Sequence, residues 1–114
     1  MDKPIPQPDV ACALVLTTVG DREAAERIAR ALVEGHLAAC VQIVPGLRSI
    51  YRWQGTIEDA AEIQLIAKTP RARAEALAAR LREIHPYEVP EIVTVEGRAA
   101  AAYGAWLTAE TSAD

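Results

Sequence analysis

A chain of 114 residues with a net charge of −4 and two cysteines suits one modest domain and excludes several functions at the outset. No block of basic residues offers a nucleic-acid surface, and no apolar run reaches the ~18 residues of a membrane span. Two cysteines without an export signal point to reduced thiols in the cytoplasm, not to a disulfide framework.

The N-terminal "MDKPIPQPDV", with prolines at 4, 6 and 8, reads as a flexible tail over 1–10, leaving 11–111 for a single domain. "ACALVLTTV" (Ala11 to Val19) is a short apolar run of the kind a covered central strand shows. Gly20 breaks it and Asp21 caps the helix that follows. In that helix Ala25, Ile28, Ala29 and Leu32 recur at i, i+3, i+4 and i+7 as one apolar stripe. Arg22, Arg27 and Arg30 alternate with Asp21, Glu23 and Glu26 as on a solvated face. Gly35 ends the helix where a left-handed residue is wanted, and His36 beside it reads as a solvated cation at the helix C-terminus.

Leu37 to Trp53 is then a long strand interrupted at Pro45-Gly46, since proline cannot donate to a ladder and forces a bulge or bend. "QGT" (Gln54 to Thr56) turns the chain, and a second extended run ends in "AEIQLIAKT", where Ile63, Leu65 and Ala67 alternate with Gln64, Ile66 and Lys68. Such a hairpin outruns the body of a small domain, and its exposed edges call for a partner copy. Thr69 and Pro70 open a second helix as cap and first-turn proline, with Ala74, Leu77, Leu81 and Ile84 inward. "IVTV" (Ile92 to Val95) is the last strand. Gly97 starts a final helical segment in which Ala99, Ala102, Tyr103, Trp106 and Leu107 share a face. The order strand, helix, strand, strand, helix, strand, plus a terminal helix, is an α+β pattern. It predicts the ferredoxin-like split βαβ sandwich, a four-stranded antiparallel sheet with two helices on one face.

Chemistry-bearing residues are few. In "HPYEVPE" (His85 to Glu91) the prolines stop one helix and launch one strand, which leaves His85, Tyr87, Glu88 and Glu91 unexplained. Cys40 is either a small buried core residue or a soft thiolate ligand that would suit copper or zinc together with His85. No local ligand spacing such as Cys-x-x-Cys supports the second reading. Cys12 reads as core. "SIYRWQG" places Ser49, Tyr51 and Trp53 on one hairpin face, suited to a subunit interface or ligand groove. No catalytic triad, phosphate loop or paired-carboxylate motif is present, so no enzyme is expected.

Together, "AACVQIVPG", "SIYRWQG", "EIQLIAKT", "HPYEVPEI" and "AYGAW" resemble, in order and spacing from about Val15 to Leu107, the CutA divalent-cation-tolerance proteins. The resemblance implies a ferredoxin-like homotrimer whose long hairpins pair between subunits, an architecture shared with the trimeric PII signalling proteins. It also implies a role in tolerance of copper and other divalent cations, Cu²⁺ first among them, with Cys40 and His85 at positions linked to metal binding. Animal members are associated instead with anchoring of acetylcholinesterase. Two departures stand out: Thr17 replaces a thiol found in some members, and "VEGR" (Val95 to Arg98) lacks a proline often seen after the last strand. The leading expectation is therefore metal binding by Cys40 and His85 with help from Glu88 and Glu91. The alternative is a small-molecule-sensing or protein-adaptor trimer binding between subunits near Tyr51, Trp53, Lys68, Arg52, Tyr87 and Trp106. A purely structural trimer is the third reading.

Overall fold

The computed structural model describes residues 8–112; most of the tail expected over 1–10 lies outside them. Strand β1 (Val10–Val19) leads into helix α1 (Arg22–Glu34), then strands β2 (Cys40–Trp53) and β3 (Thr56–Pro70). A 3₁₀ turn over Arg71–Arg73 precedes helix α2 (Ala74–Ile84), strand β4 (Val93–Ala99) and helix α3 (Ala101–Glu110). The sheet order is β2-β3-β1-β4 with every pairing antiparallel, which is the expected split βαβ sandwich.

One sheet face is covered. Ala13, Val15 and Val19 of β1 and Leu65 and Ala67 of β3 are buried against Ala25, Ile28 and Leu32 of α1 and Leu77 and Leu81 of α2. Helix α1 thus buries the stripe its spacing predicts, whereas of the α2 stripe only Leu77 and Leu81 are buried, with Ala74 and Ile84 half-buried. Asp21 accepts a 2.7 Å hydrogen bond from the Ala24 amide, holding one of the amides left unpaired at the start of α1.

Residues opposite one another in an antiparallel pair share a face. The ladder therefore places Leu14, Leu16 and Thr18 of β1, Gln64, Ile66 and Lys68 of β3, Cys40, Gln42 and Val44 of β2, and Val93 and Val95 of β4 on the second face. That face is largely apolar yet open: Val44, Val93 and Val95 are exposed, and Leu14, Leu16 and Ile66 are half-buried. The register slips between Val44 and Leu47, at Pro45-Gly46, as a bulge. Beyond Ile63, where the β1 ladder stops, Leu47 to Trp53 and Thr56 to Glu62 pair only with each other. Gln54 and Gly55, both at positive φ, close this arm as a two-residue turn. The projecting arm accounts for the 60 Å length of a molecule only 21 Å thick.

Four local expectations are corrected. The left-handed residue after α1 is His36 (φ 58°), not Gly35. Its ring bonds the Glu110 carbonyl at 3.1 Å, tying α1 to the end of α3. Thr69 does not cap α2: it lies in β3 opposite Ala13, fully buried, and donates to the Leu37 carbonyl at 2.7 Å. Strand β4 runs on through Gly97 to Ala99, because Cys12, Ala11 and Val10 offer it a ladder. Helix α3 buries Gly104 and Leu107, whereas Tyr103 and Trp106 stay exposed. Gly104 faces β1 so closely that a Cβ there would overlap the Val10 side chain, and this contact sets the inward face.

Candidate functional site

The segment between α2 and β4 is the "HPYEVPE" motif, and it runs past the end of β1 beside the base of the arm. Pro86 holds His85 in extended backbone (φ −74°, ψ 136°), which ends α2. The imidazole turns inward and is 8% exposed. Its Nε2–H donates to the Thr18 carbonyl at 2.9 Å, and its Nδ1 accepts from the Tyr87 amide at 3.0 Å. These two bonds require the neutral Nε2–H tautomer. Burial pushes the His85 pKa below 6.5, although the Thr18 carbonyl and the Glu62 carboxylate pull the other way and Arg27 adds to the depression.

Tyr87 stands edge-on to the His85 ring at 4.9 Å between centroids and donates its hydroxyl to Glu62 Oε2 at 2.9 Å. Burial together with that acceptor raises the phenol to about 12, so it stays protonated and the bond holds across neutral pH. A bond to the Thr18 carbonyl and one to the Glu62 carboxylate therefore anchor the motif to β1 and β3.

The anchored segment and the arm enclose an open cavity of about 690 Å³ lined by Thr18, Ser49, Tyr51, Trp53, Glu62, Tyr87, Glu88 and Glu91, with Ile50 and Val89. Its charged groups are the carboxylates of Glu62, Glu88 and Glu91, and no lysine or arginine of the described residues lines it. Tyr51, Trp53 and Tyr87 are each about two-fifths exposed there.

The cavity thus gathers Tyr51, Trp53, Tyr87, Glu88 and Glu91 from the residues expected to matter. It leaves out Cys40, His85, Arg52, Lys68 and Trp106. Cys40 pairs with Lys68, six residues along β3 from Glu62, or about 20 Å at strand rise. Lys68 places its ammonium over the Tyr103 ring at 5.9 Å, and Tyr103 packs beside Trp106. Those residues form a separate cluster at the far end of the sheet.

Cys40 and His85 are likewise apart within one chain. Cys40 is level with Lys68, whereas Thr18, which holds His85, is level with Gln64. Four residues of strand separate them by about 13 Å before the distance across the sheet is added. Both imidazole nitrogens are already engaged, so His85 offers a metal no free lone pair in this arrangement. No group of three or more His, Cys, Asp or Glu side chains capable of holding an ion occurs among the described residues. Thr17 points into the helix layer and is buried, so a thiol at that position would not face the cavity either.

Glu62 and Thr18 are the members that motif reading missed. Glu62 was legible only as the first residue of a strand pattern, and its contact with Tyr87 spans 25 positions. Thr18 sits at the end of an apolar run where its hydroxyl looked incidental.

A family model described as CutA1 divalent ion tolerance protein matches residues 13–110. The chain is 52% identical over 82 residues to the divalent-cation tolerance protein CutA of Thermus thermophilus, covering 72% of this chain and 80% of that one. Among solved structures, CutA from Xylella fastidiosa superposes with a TM-score of 0.85 at 41% identity, covering 89% of this chain and 98% of that one. A CutA from a Nostoc species, described as PII-like and in apo form, superposes with a TM-score of 0.82 at 39% identity, covering 88% and 97%. In none of the described residues is there a helix long and apolar enough to cross a membrane.

Proposed function

The chain belongs to the CutA1 divalent ion tolerance family, and we propose that it is a homotrimer that binds divalent cations in the cavity beside the arm and so contributes to metal tolerance. The observation that carries this reading is the charge of the cavity: Glu62, Glu88 and Glu91 all line it, and no basic side chain of the described residues does. Carboxylates facing one open volume concentrate cations from solution. Because the described residues of one chain supply no complete ligand group, the shell is finished by water or by a second subunit. The trimer is supported by the open apolar sheet face and by an arm whose outer strands lack neighbours, both of which a second copy would cover. For a given set of N, O and S ligands, affinity among divalent first-row metals peaks at Cu²⁺, which keeps copper first among candidates. Two free cysteines fit the reducing cytoplasm in which we place the protein.

The ligand set expected from the motifs alone, Cys40 with His85, needs both residues pooled across subunits and the His85 bonds to Thr18 and Tyr87 broken. The carboxylate set needs neither. Calorimetric titration of the reduced protein with Cu²⁺ and Zn²⁺ separates them. Glu62→Gln, Glu88→Gln and Glu91→Gln together should abolish a whole-number stoichiometry per trimer, while Cys40→Ala should leave it. The reverse result moves the site to the thiol, and nonstoichiometric binding indifferent to every variant removes metal binding as the function.

A second reading, a small-molecule-sensing or adaptor trimer, is favoured by the three aromatic side chains in the same cavity. It also draws on the likeness to a CutA described as PII-like.

A further inference from the structure

A bare or hydrated metal ion uses the carboxylates of the cavity and nothing else in it. Apart from Thr18 and Ser49, the rest of the lining is aromatic and aliphatic: Tyr51, Trp53 and Tyr87 with Ile50 and Val89. Apolar side chains around a few polar groups are the usual lining of an organic-ligand site, and about 690 Å³ lies within the range such sites occupy. Aromatic faces attract cations through their quadrupole, and they do so most strongly where the cation also sheds water. Three rings beside three carboxylates therefore favour a ligand that is both positively charged and partly apolar. The same lining disfavours phosphates, carboxylates and nucleotides, which would meet like charge and no basic partner.

A further feature points into the same volume. Thr18 is 7% exposed and lines the cavity. Its carbonyl is taken by His85. Its position in the β1–β3 ladder puts it on the same face as Glu62, Ser49 and Tyr51. A threonine hydroxyl on the wall of the cavity can donate to or accept from a polar ligand group. The Tyr87 ring is also held in place, by its bond to Glu62 and its edge contact with His85, so it need not be ordered when a ligand arrives.

Resting on the reading that this cavity takes cations, we propose that its ligand is an organic ammonium ion: the charged nitrogen between Trp53, Tyr51 and Tyr87 and balanced by Glu62, Glu88 and Glu91, with a hydroxyl or amine of the ligand bonded to Thr18. The three carboxylates give the site its sign, and the rings give it selectivity for an alkylated nitrogen over a hydrated metal.

The test is calorimetry on the intact, chelator-treated oligomer with choline, set against 3,3-dimethyl-1-butanol, which has the same shape without the charge. Choline should saturate and bind on the order of tenfold tighter than the neutral alcohol. Trp53→Ala should weaken choline by a similar factor, and Trp53→Phe, which retains a ring and reports on folding, should recover most of it. Equal binding of the two probes overturns the proposal in favour of a plain apolar pocket. Failure of choline to saturate in the unmodified protein overturns it outright. Parallel Cu²⁺ titration keeps the two readings distinct. Copper binding without choline binding removes the organic ligand and leaves the metal site standing, while choline binding without copper binding does the opposite.

Discussion

His85→Ala should destabilise the protein at pH 8 and do so progressively less as the solution is acidified. The imidazole makes two hydrogen bonds, a buried one to the Thr18 carbonyl and a half-buried one from the Tyr87 amide, each worth about 1 kcal/mol net. Its edge contact with Tyr87 adds about 0.5–1.5 kcal/mol, so the substitution should cost about 3 kcal/mol at pH 8. Both bonds need the neutral ring, and burial lowers its pKa beneath 6.5. The unfolded chain therefore takes up this proton at a higher pH than the folded one. The contribution is complete above pH 6.5 and falls as the pH drops from 6.5 through the folded value. Guanidinium denaturation at matched protein concentration, followed by circular dichroism at pH 8 and at pH 5.5, measures the gap between wild type and variant. The gap should narrow at the lower pH because the wild type alone loses stability there. A gap that is absent at pH 8, or unchanged between the two, would refute this role for the neutral His85 ring.

Gly104→Ala places a methyl group into the Val10 side chain and should lower stability by about 1–3 kcal/mol. Adding Val10→Ala should restore much of the loss in a thermal melt, since the pair share one contact. Tyr87→Phe removes the phenol that ionises near 12, and an ultraviolet difference titration should lose that late step.

The parts of the fold that were legible in the sequence are those decided within a few residues. The α1 stripe needs only the spacing of Ala25, Ile28, Ala29 and Leu32, and the arm needs only two alternating runs and the turn at Gln54-Gly55. What escaped was set by distant partners. Thr69 followed by Pro70 is a sound cap in isolation, but β1 captures Thr69 in its ladder and Leu37 takes its hydroxyl. The face of α3 followed Gly104, a residue with no side chain to signal burial, while the larger rings of Tyr103 and Trp106 suggested a different inward surface. Half of the cavity was visible in "HPYEVPE" and "SIYRW". Their convergence, with Glu62 as the hinge between them, depends on the length by which the arm outruns β1, and no local pattern records that.

Pro86 and the histidine of "HPYEVPE" serve one purpose. Pro86 stops α2, and His85 then pins the connector to the end of β1, so that Glu88 and Glu91 line the same cavity as Glu62. Loss of cation binding in a His85 variant would follow from release of the segment as readily as from loss of a ligand, so that variant cannot identify the ligands. Glu62→Gln is the cleaner probe. The glutamine oxygen still accepts the Tyr87 hydroxyl, so the segment stays docked, while one of the three negative charges is removed. Weakened binding in Glu62→Gln with an unchanged denaturation midpoint would assign the effect to charge in the cavity. A midpoint that falls along with binding would mean that the carboxylate's chief role is to hold Tyr87.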